Sequence, residues 1–296
     1  MKTFKGTGVA VITPFKNDSS IDFKSLERVI NHIIDGGVSY LVVLGTTSEA
    51  ATMNEEEKEA VVSYIKEINS GRLPIVLGIG GNCTQQVVNT IRKTDFDGID
   101  GILSVAPYYN KPNQKGIYQH FRTISNECSL PIIIYNVPGR TGSNIGAETC
   151  IKLAWDFENI VAVKEASGNL QQVMDIINGA PSDFQVISGD DLLTLPMIAL
   201  GAAGVISVLG NAFPMEWSEM VNLSIKNRFK NASEVHYKYL EMIGLIFEDG
   251  NPAGIKSVLS GMGVCANNVR LPLTPAGRNT STRINNILDD LKLKSR

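Results

Sequence analysis

Lys164 closes an apolar run, Ile160-Val161-Ala162-Val163, and leads into Glu165-Ala166-Ser167-Gly168. A short β-branched run of this kind reads as a buried strand. An ammonium at the end of a buried strand is costly unless it is solvated, paired or used. Strand alternation sends Lys164 and Glu165 to opposite faces, so the two do not pair directly. One use is nucleophilic: a desolvated lysine amine attacks carbonyl carbon and forms a Schiff base. The plain alternative is a lysine whose stem packs while its ammonium reaches water.

Other polar residues also follow apolar runs. They are Thr13, Gly45-Thr46-Thr47-Ser48-Glu49, Pro107-Tyr108-Tyr109-Asn110, Tyr135-Asn136-Val137-Pro138-Gly139-Arg140, Gly189-Asp190-Asp191 and Ser207. A lysine, tyrosines, hydroxyls and one arginine are what carbonyl chemistry through an imine requires. The lysine attacks a ketone, a tyrosine with threonines moves protons, and the arginine fork clamps a carboxylate. Taken singly, each has a structural reading: packing aromatics, turn threonines, a surface cation. Their joint appearance at the ends of runs points to Schiff-base catalysis. His32, His120 and His236 fall in helical segments, which argues against a histidine triad or a histidine metal site. The pair Asp190-Asp191 beside a helix start reads as a cap before a metal ligand. The expected metal and cofactor complement is therefore none.

The elements that must hold these residues follow from periodicity. Apolar runs begin near Val9, Tyr40, Ile75, Gly101, Pro131, Ile160, Gln185 and Gly204, spaced by 19 to 35 residues. That is room for one strand, one helix and two loops each time. Asp22 can cap a helix bearing Leu26, Val29, Ile30, Ile33 and Ile34 before Gly36-Gly37. Asn54-Glu55-Glu56-Glu57 starts another, carrying Val61, Val62, Ile65 and Ile68 and closed by Gly71. Eight strand–helix alternations imply parallel strands joined by crossover helices, hence an α/β fold of the (β/α)8 (TIM) barrel type. An open doubly wound sheet is the runner-up. It wants a phosphate-binding glycine turn after the first strand, where Thr13-Pro14-Phe15 stands instead. Further helices near 216–227, 232–247, 252–262 and 280–291 divide the chain into a barrel, 1–226, and a helical C-terminal region, 227–296.

Composition excludes several classes. The chain has 296 residues, 43% hydrophobic and 19% charged, with a formal net charge of −3. It has no basic field for nucleic acid. Cys83, Cys128, Cys150 and Cys265 show no Cys-x-x-Cys spacing and read as reduced thiols. No signal peptide is visible in 1–15, so a cytoplasmic location is expected. The stretch 192–215 carries no charge over 24 residues, but Pro196, Gly201, Gly204, Gly210, Asn211 and Pro214 interrupt it. A helix, a turn and a buried strand explain it better than a membrane span.

Three motifs, Gly45-Thr46-Thr47-Ser48-Glu49, Tyr135-Asn136-Val137-Pro138-Gly139-Arg140-Thr141-Gly142 and Val163-Lys164-Glu165-Ala166-Ser167-Gly168, resemble those of the dihydrodipicolinate synthase family, within the N-acetylneuraminate lyase and class I aldolase superfamily. The similarity runs from Gly8 to at least Pro272. It implies 4-hydroxy-tetrahydrodipicolinate synthase activity: condensation of pyruvate with L-aspartate 4-semialdehyde in lysine biosynthesis, by a homotetramer of two tight dimers. By the same resemblance, Lys164 forms the Schiff base with pyruvate and Tyr135 donates and accepts protons. Thr46 and Tyr109 complete a relay, with Tyr109 reaching in from the neighbouring subunit. Thr47 and the Ile206 backbone hold the pyruvate carboxylate, while Arg140 and the Gly189 backbone receive the semialdehyde. Two alternatives stand beside this reading: a sister 2-keto acid aldolase such as N-acetylneuraminate lyase, and a non-catalytic keto-acid binding protein. Arg140-Thr141-Gly142 and Thr46-Thr47 favour the synthase, because a short aldehyde acid needs a carboxylate clamp that a polyol does not.

In lysine-inhibited relatives the inhibitor lies at the tight dimer contact. The corresponding effector site here is expected at Ala51, Asn82, Gln86 and Tyr108. Ala50 stands in place of a serine, Glu55 and Lys58 in place of two histidines, and Gln86 in place of a glutamate. Losing that carboxylate removes a partner for the ligand's ammonium, so weak or absent inhibition is expected.

Overall fold

The structure, a computed structural model, describes residues 4–291. Eight short parallel strands close into a barrel in chain order. They are β1 (Gly6–Ala10), β2 (Tyr40–Val43), β3 (Ile75–Gly78), β4 (Gly101–Val105), β5 (Ile132–Asn136), β6 (Ile160–Glu165), β7 (Gln185–Ser188) and β8 (Gly204–Ser207). β8 pairs back onto β1, with Gly8 opposite Ile206. The strands are mainly apolar because both faces are covered, one by the barrel interior and one by helices. Alternation is still legible within them. Tyr40, Val42, Val76, Leu103, Ile133, Tyr135, Ala162, Ile187 and Ile206 share the inner cluster. Leu41, Val43, Ile75, Ile102, Ile134 and Val163 pack in the larger outer one. Gly8 follows from this filling: a Cβ there would lie 2.2 Å from the Tyr40 ring.

The helices that return the chain are α1 (Phe23–Asp35), α2 (Glu55–Asn69), α3 (Thr84–Lys93), α4 (Gln114–Glu127), α5 (Pro138–Thr141), α6 (Ala147–Asp156), α7 (Leu170–Gly179), α8 (Thr194–Ala199) and α9 (Pro214–Ile225). Asp22 caps α1 by accepting from the Ser25 amide, as its sequence position requires. Asn54 and Glu57 form a capping box on α2, whose first turn carries three glutamates. The expected stop at Gly71 comes one residue early: Ser70 already turns left-handed at φ 46. The uncharged stretch resolves into α8, β8 and the start of α9. Among the described residues no helix is long and apolar enough to cross a membrane.

Three helices follow, α10 (Phe229–Glu248), α11 (Ala253–Gly261) and α12 (Arg278–Asp290). The division proposed at residue 226 falls between α9 and α10; residues 292–296 of the proposed C-terminal region lie outside the described ones. α10 packs on α8 and α9, and α11 packs on α10, α12 and the turn Leu209–Asn211 that follows β8.

Candidate active site

Parallel pairing sets the residues of adjacent strand ends side by side. Lys164 on β6 lies in register with Tyr135 on β5 and Ile187 on β7. Only 6% of Lys164 is exposed. Its Nζ sits 4.4 Å from the centre of the Tyr135 ring, over the negative face of the aromatic. Burial lowers the amine from the ordinary 10.5 to about 8; the Asp191 carboxylate opposes that shift and the Arg140 guanidinium adds to it. Gly189 leaves room for the amine's stem, since a Cβ there would come within 3.0 Å of Lys164 Cε and 2.7 Å of Ala166 Cβ. Ile206 is buried in the same inner cluster.

Tyr135 is buried and its phenol is pushed up by desolvation; the Arg140 charge and the neighbouring Thr46 hydroxyl pull the other way. Lys164, Tyr135 and Thr46 therefore form one cluster. Thr47 is buried beside it, and its Oγ1 accepts from Asn251 Nδ2 at 2.9 Å. Arg140 lies on α5, a single turn started by Pro138, and it is exposed at the mouth. Tyr109 stands apart: its side chain is 89% exposed on a left-handed backbone at φ 70. Tyr108 beside it is 40% exposed.

The effector candidates lie on the segments that follow β2, β3 and β4. Ala51 belongs to the turn Ala50–Thr52, Asn82 to the loop after β3, and Gln86 to the first turns of α3; all three are exposed. Lys58 Nζ donates to Glu55 Oε1 at 2.7 Å, so the two residues that replace histidines neutralise each other.

Several residues named in the sequence take structural roles that it did not assign. Glu165 points away from Lys164, as alternation requires. Its carboxylate accepts from Asn136 Nδ2 at 3.0 Å, Gln172 Nε2 at 2.8 Å and the Ser167 amide at 2.8 Å. Asn136 also accepts from the Ile145 amide at 2.9 Å, which fixes the segment after α5. Asp191 is neither a helix cap nor free for a metal. It accepts from Ser207 Oγ at 2.6 Å and from the Val208 and Leu209 amides at 2.9 and 3.0 Å, joining the ends of β7 and β8. An acidic residue at a strand end was the signal available; the partner strand was not readable.

A buried amine whose hold on its proton is weakened, a tyrosine with a threonine beside it, and a guanidinium at the mouth can form and protonate an imine of a small keto acid. Comparison with known proteins agrees. Residues 3–291 match the model of the dihydrodipicolinate synthetase family. The chain is 51% identical over 284 residues to a 4-hydroxy-tetrahydrodipicolinate synthase of Flavobacterium psychrophilum, covering 96% of this chain and 97% of that one. It is 52% identical over 290 residues to the enzyme of that name from Parabacteroides distasonis, covering 98% of each. The solved dihydrodipicolinate synthase of Thermotoga maritima superposes with a TM-score of 0.95 at 39% identity, covering 98% of this chain and 99% of that one.

Proposed function

The chain belongs to the dihydrodipicolinate synthetase family, and we propose that it is a 4-hydroxy-tetrahydrodipicolinate synthase, condensing pyruvate with L-aspartate 4-semialdehyde. One observation carries the reading most: Lys164 is buried at a strand end with its amine lowered to about 8. Its lone pair attacks the pyruvate ketone to give a carbinolamine, which loses water to become the imine. Tyr135, with Thr46 beside it, delivers the proton that turns the departing hydroxyl into water. Loss of a methyl proton then yields the enamine, whose carbon attacks the aldehyde of the second substrate. The free amine of that substrate displaces Lys164 from the imine carbon, closing the ring and regenerating the enzyme. Since the lysine itself carries the pyruvate carbons, the chemistry calls for no cofactor.

Thr47 and the Ile206 backbone hold the pyruvate carboxylate in this reading. Arg140, with the Gly189 backbone, takes the carboxylate of the semialdehyde, for which a guanidinium fork is suited. Tyr109 serves the relay of a neighbouring subunit. Its exposure in this single chain supports that assignment, because an aromatic held out on a left-handed turn has no use within its own barrel. The assembly proposed is accordingly a homotetramer of two tight dimers, working in the cytoplasm.

Incubation with pyruvate and borohydride followed by peptide mass spectrometry tests the reading. The reduced adduct is expected on Lys164, and an adduct on another lysine, or none, would refute it. Condensation with aspartate semialdehyde, assayed beside cleavage of N-acetylneuraminate, separates the synthase from its sister lyase.

A further inference from the structure

Glu49 lies between the turns Thr46–Ser48 and Ala50–Thr52 and has a left-handed backbone, φ 59. A side chain with a Cβ holds that conformation only where its surroundings enforce it. The backbone of Glu49 also sets the turn before it, since its amide donates to the Thr46 carbonyl at 3.1 Å. What enforces Glu49 comes from the other end of the chain. Lys256 of α11 is wholly buried, and its Nζ donates to Glu49 Oε1 at 2.5 Å and to the Asn268 carbonyl at 2.9 Å. The Arg270 amide donates to Glu49 Oε2 at 2.9 Å. Both cations lie on the Phe15 ring, Lys256 Nζ at 4.3 Å and Arg270 Cζ at 4.4 Å from its centre. The Arg270 guanidinium also donates to the Thr52 carbonyl at 2.9 Å and to Glu57 Oε2 at 2.8 Å. A second tether ends on the site itself. Asn251 donates to Thr47 Oγ1, which occupies one acceptor position and leaves the hydroxyl's single proton for another partner.

A buried ion pair is poor evidence for stability, because well-packed neutral residues often replace it at no loss. What such a pair does supply is a single geometry, and here that geometry belongs to the loop bearing Thr46 and Thr47. We propose that the C-terminal helices are a working part of the pyruvate site: the Lys256–Glu49 pair, with Arg270, fixes the turn that aims Thr46 and Thr47, and Lys256 is a positioning residue. This rests on the proposed role of Thr47 in holding the pyruvate carboxylate.

The test compares the wild-type chain with Lys256→Met and with the neutral, near-isosteric double variant Glu49→Gln/Lys256→Met. The double variant keeps the fold testable if the lone buried carboxylate of the single one prevents folding. Asn251→Ala, which leaves the ion pair intact, probes the second tether. Each is followed by thermal unfolding, by borohydride trapping against pyruvate concentration, and by steady-state kinetics for both substrates. The KM for pyruvate and the half-saturating concentration for trapping are expected to rise about tenfold, the loss of roughly one hydrogen bond to a charged group. The KM for the semialdehyde should stay within about twofold. Folded variants with unchanged pyruvate parameters, whatever their melting temperature, would overturn the proposal. A wild type that traps no pyruvate would instead bring down the proposed function, and this inference with it.

Discussion

Replacing Lys164 with methionine should remove the imine and, at neutral pH, make the folded chain more stable. Methionine keeps the length of the side chain and fills the same space without an ammonium to desolvate. The magnitude follows from the position of the amine. Lysine binds its proton with a pKa near 10.5 when exposed and near 8 in this barrel. Between those values the unfolded chain holds a proton that the folded chain has released, so unfolding becomes harder as pH rises through the window. Below pH 8 both states are protonated, and the folded one bears the full cost of an ammonium in a site that is 6% exposed. At pH 7 that cost is about 3 kcal/mol, and by pH 10 it has fallen below about 1 kcal/mol.

Urea unfolding of the two proteins at pH 7 and pH 10, at one protein concentration, measures the difference. Other titrating groups cancel in the comparison. The variant should be more stable at pH 7, and most of its advantage should vanish at pH 10. A variant of equal or lower stability at pH 7, with a pH-independent difference, would refute the reasoning. The same shift governs chemistry. At pH 7.5 the neutral fraction rises from about one in a thousand to about one in four, and the initial rate of pyruvate trapping should climb with a midpoint near pH 8.

Removing Arg140 should spare trapping and impair condensation. In Arg140→Ala, kcat/KM for the semialdehyde should fall roughly ten- to a hundredfold, about 1.5–3 kcal/mol, the range for a hydrogen bond to a charged group. The trapping midpoint should move to higher pH, since the guanidinium helps depress Lys164; unchanged condensation would sink the assignment. Mixing Tyr109→Phe chains with Lys164→Ala chains should restore activity that neither parent has, because a mixed dimer contains one intact composite site. Exchanged subunits that stay inactive would place Tyr109 outside the relay. Lysine should inhibit weakly or not at all: Gln86 offers no carboxylate, and Glu55 is already paired with Lys58 at 2.7 Å. Half-inhibition below about 1 mM, a binding free energy beyond about −4 kcal/mol, would contradict this.

The features readable in the sequence are those that local physics determines. Buried parallel strands are mainly apolar, so Ile160 to Val163 and its seven counterparts mark the barrel without any knowledge of pairing. A polar residue ending such a run has few reasons to be there, which brought Lys164, Tyr135 and Thr46 to notice together. Asp22 and Asn54 announced their helices because a cap acts within one turn. What stayed hidden depends on register and on distant chain. Asn136 meets Glu165 only because β5 and β6 pair as they do. Asp191 reaches the amides after β8 only because β7 and β8 pair side by side. Lys256 is the sharpest case, lying 207 residues from Glu49. It interrupts an apolar helical stretch, Ile255 to Leu259, just as Lys164 ends an apolar strand. Both are lysines where burial makes an ammonium costly. The difference is in their partners: Lys256 meets a carboxylate at 2.5 Å, whereas Lys164 faces an aromatic ring with Asp191 already bound to other donors. Burial lowers both amines; the Glu49 carboxylate opposes that shift at Lys256 and ties it into the structure, whereas Lys164, without a dedicated anion, parts with its proton more easily and can serve as a nucleophile.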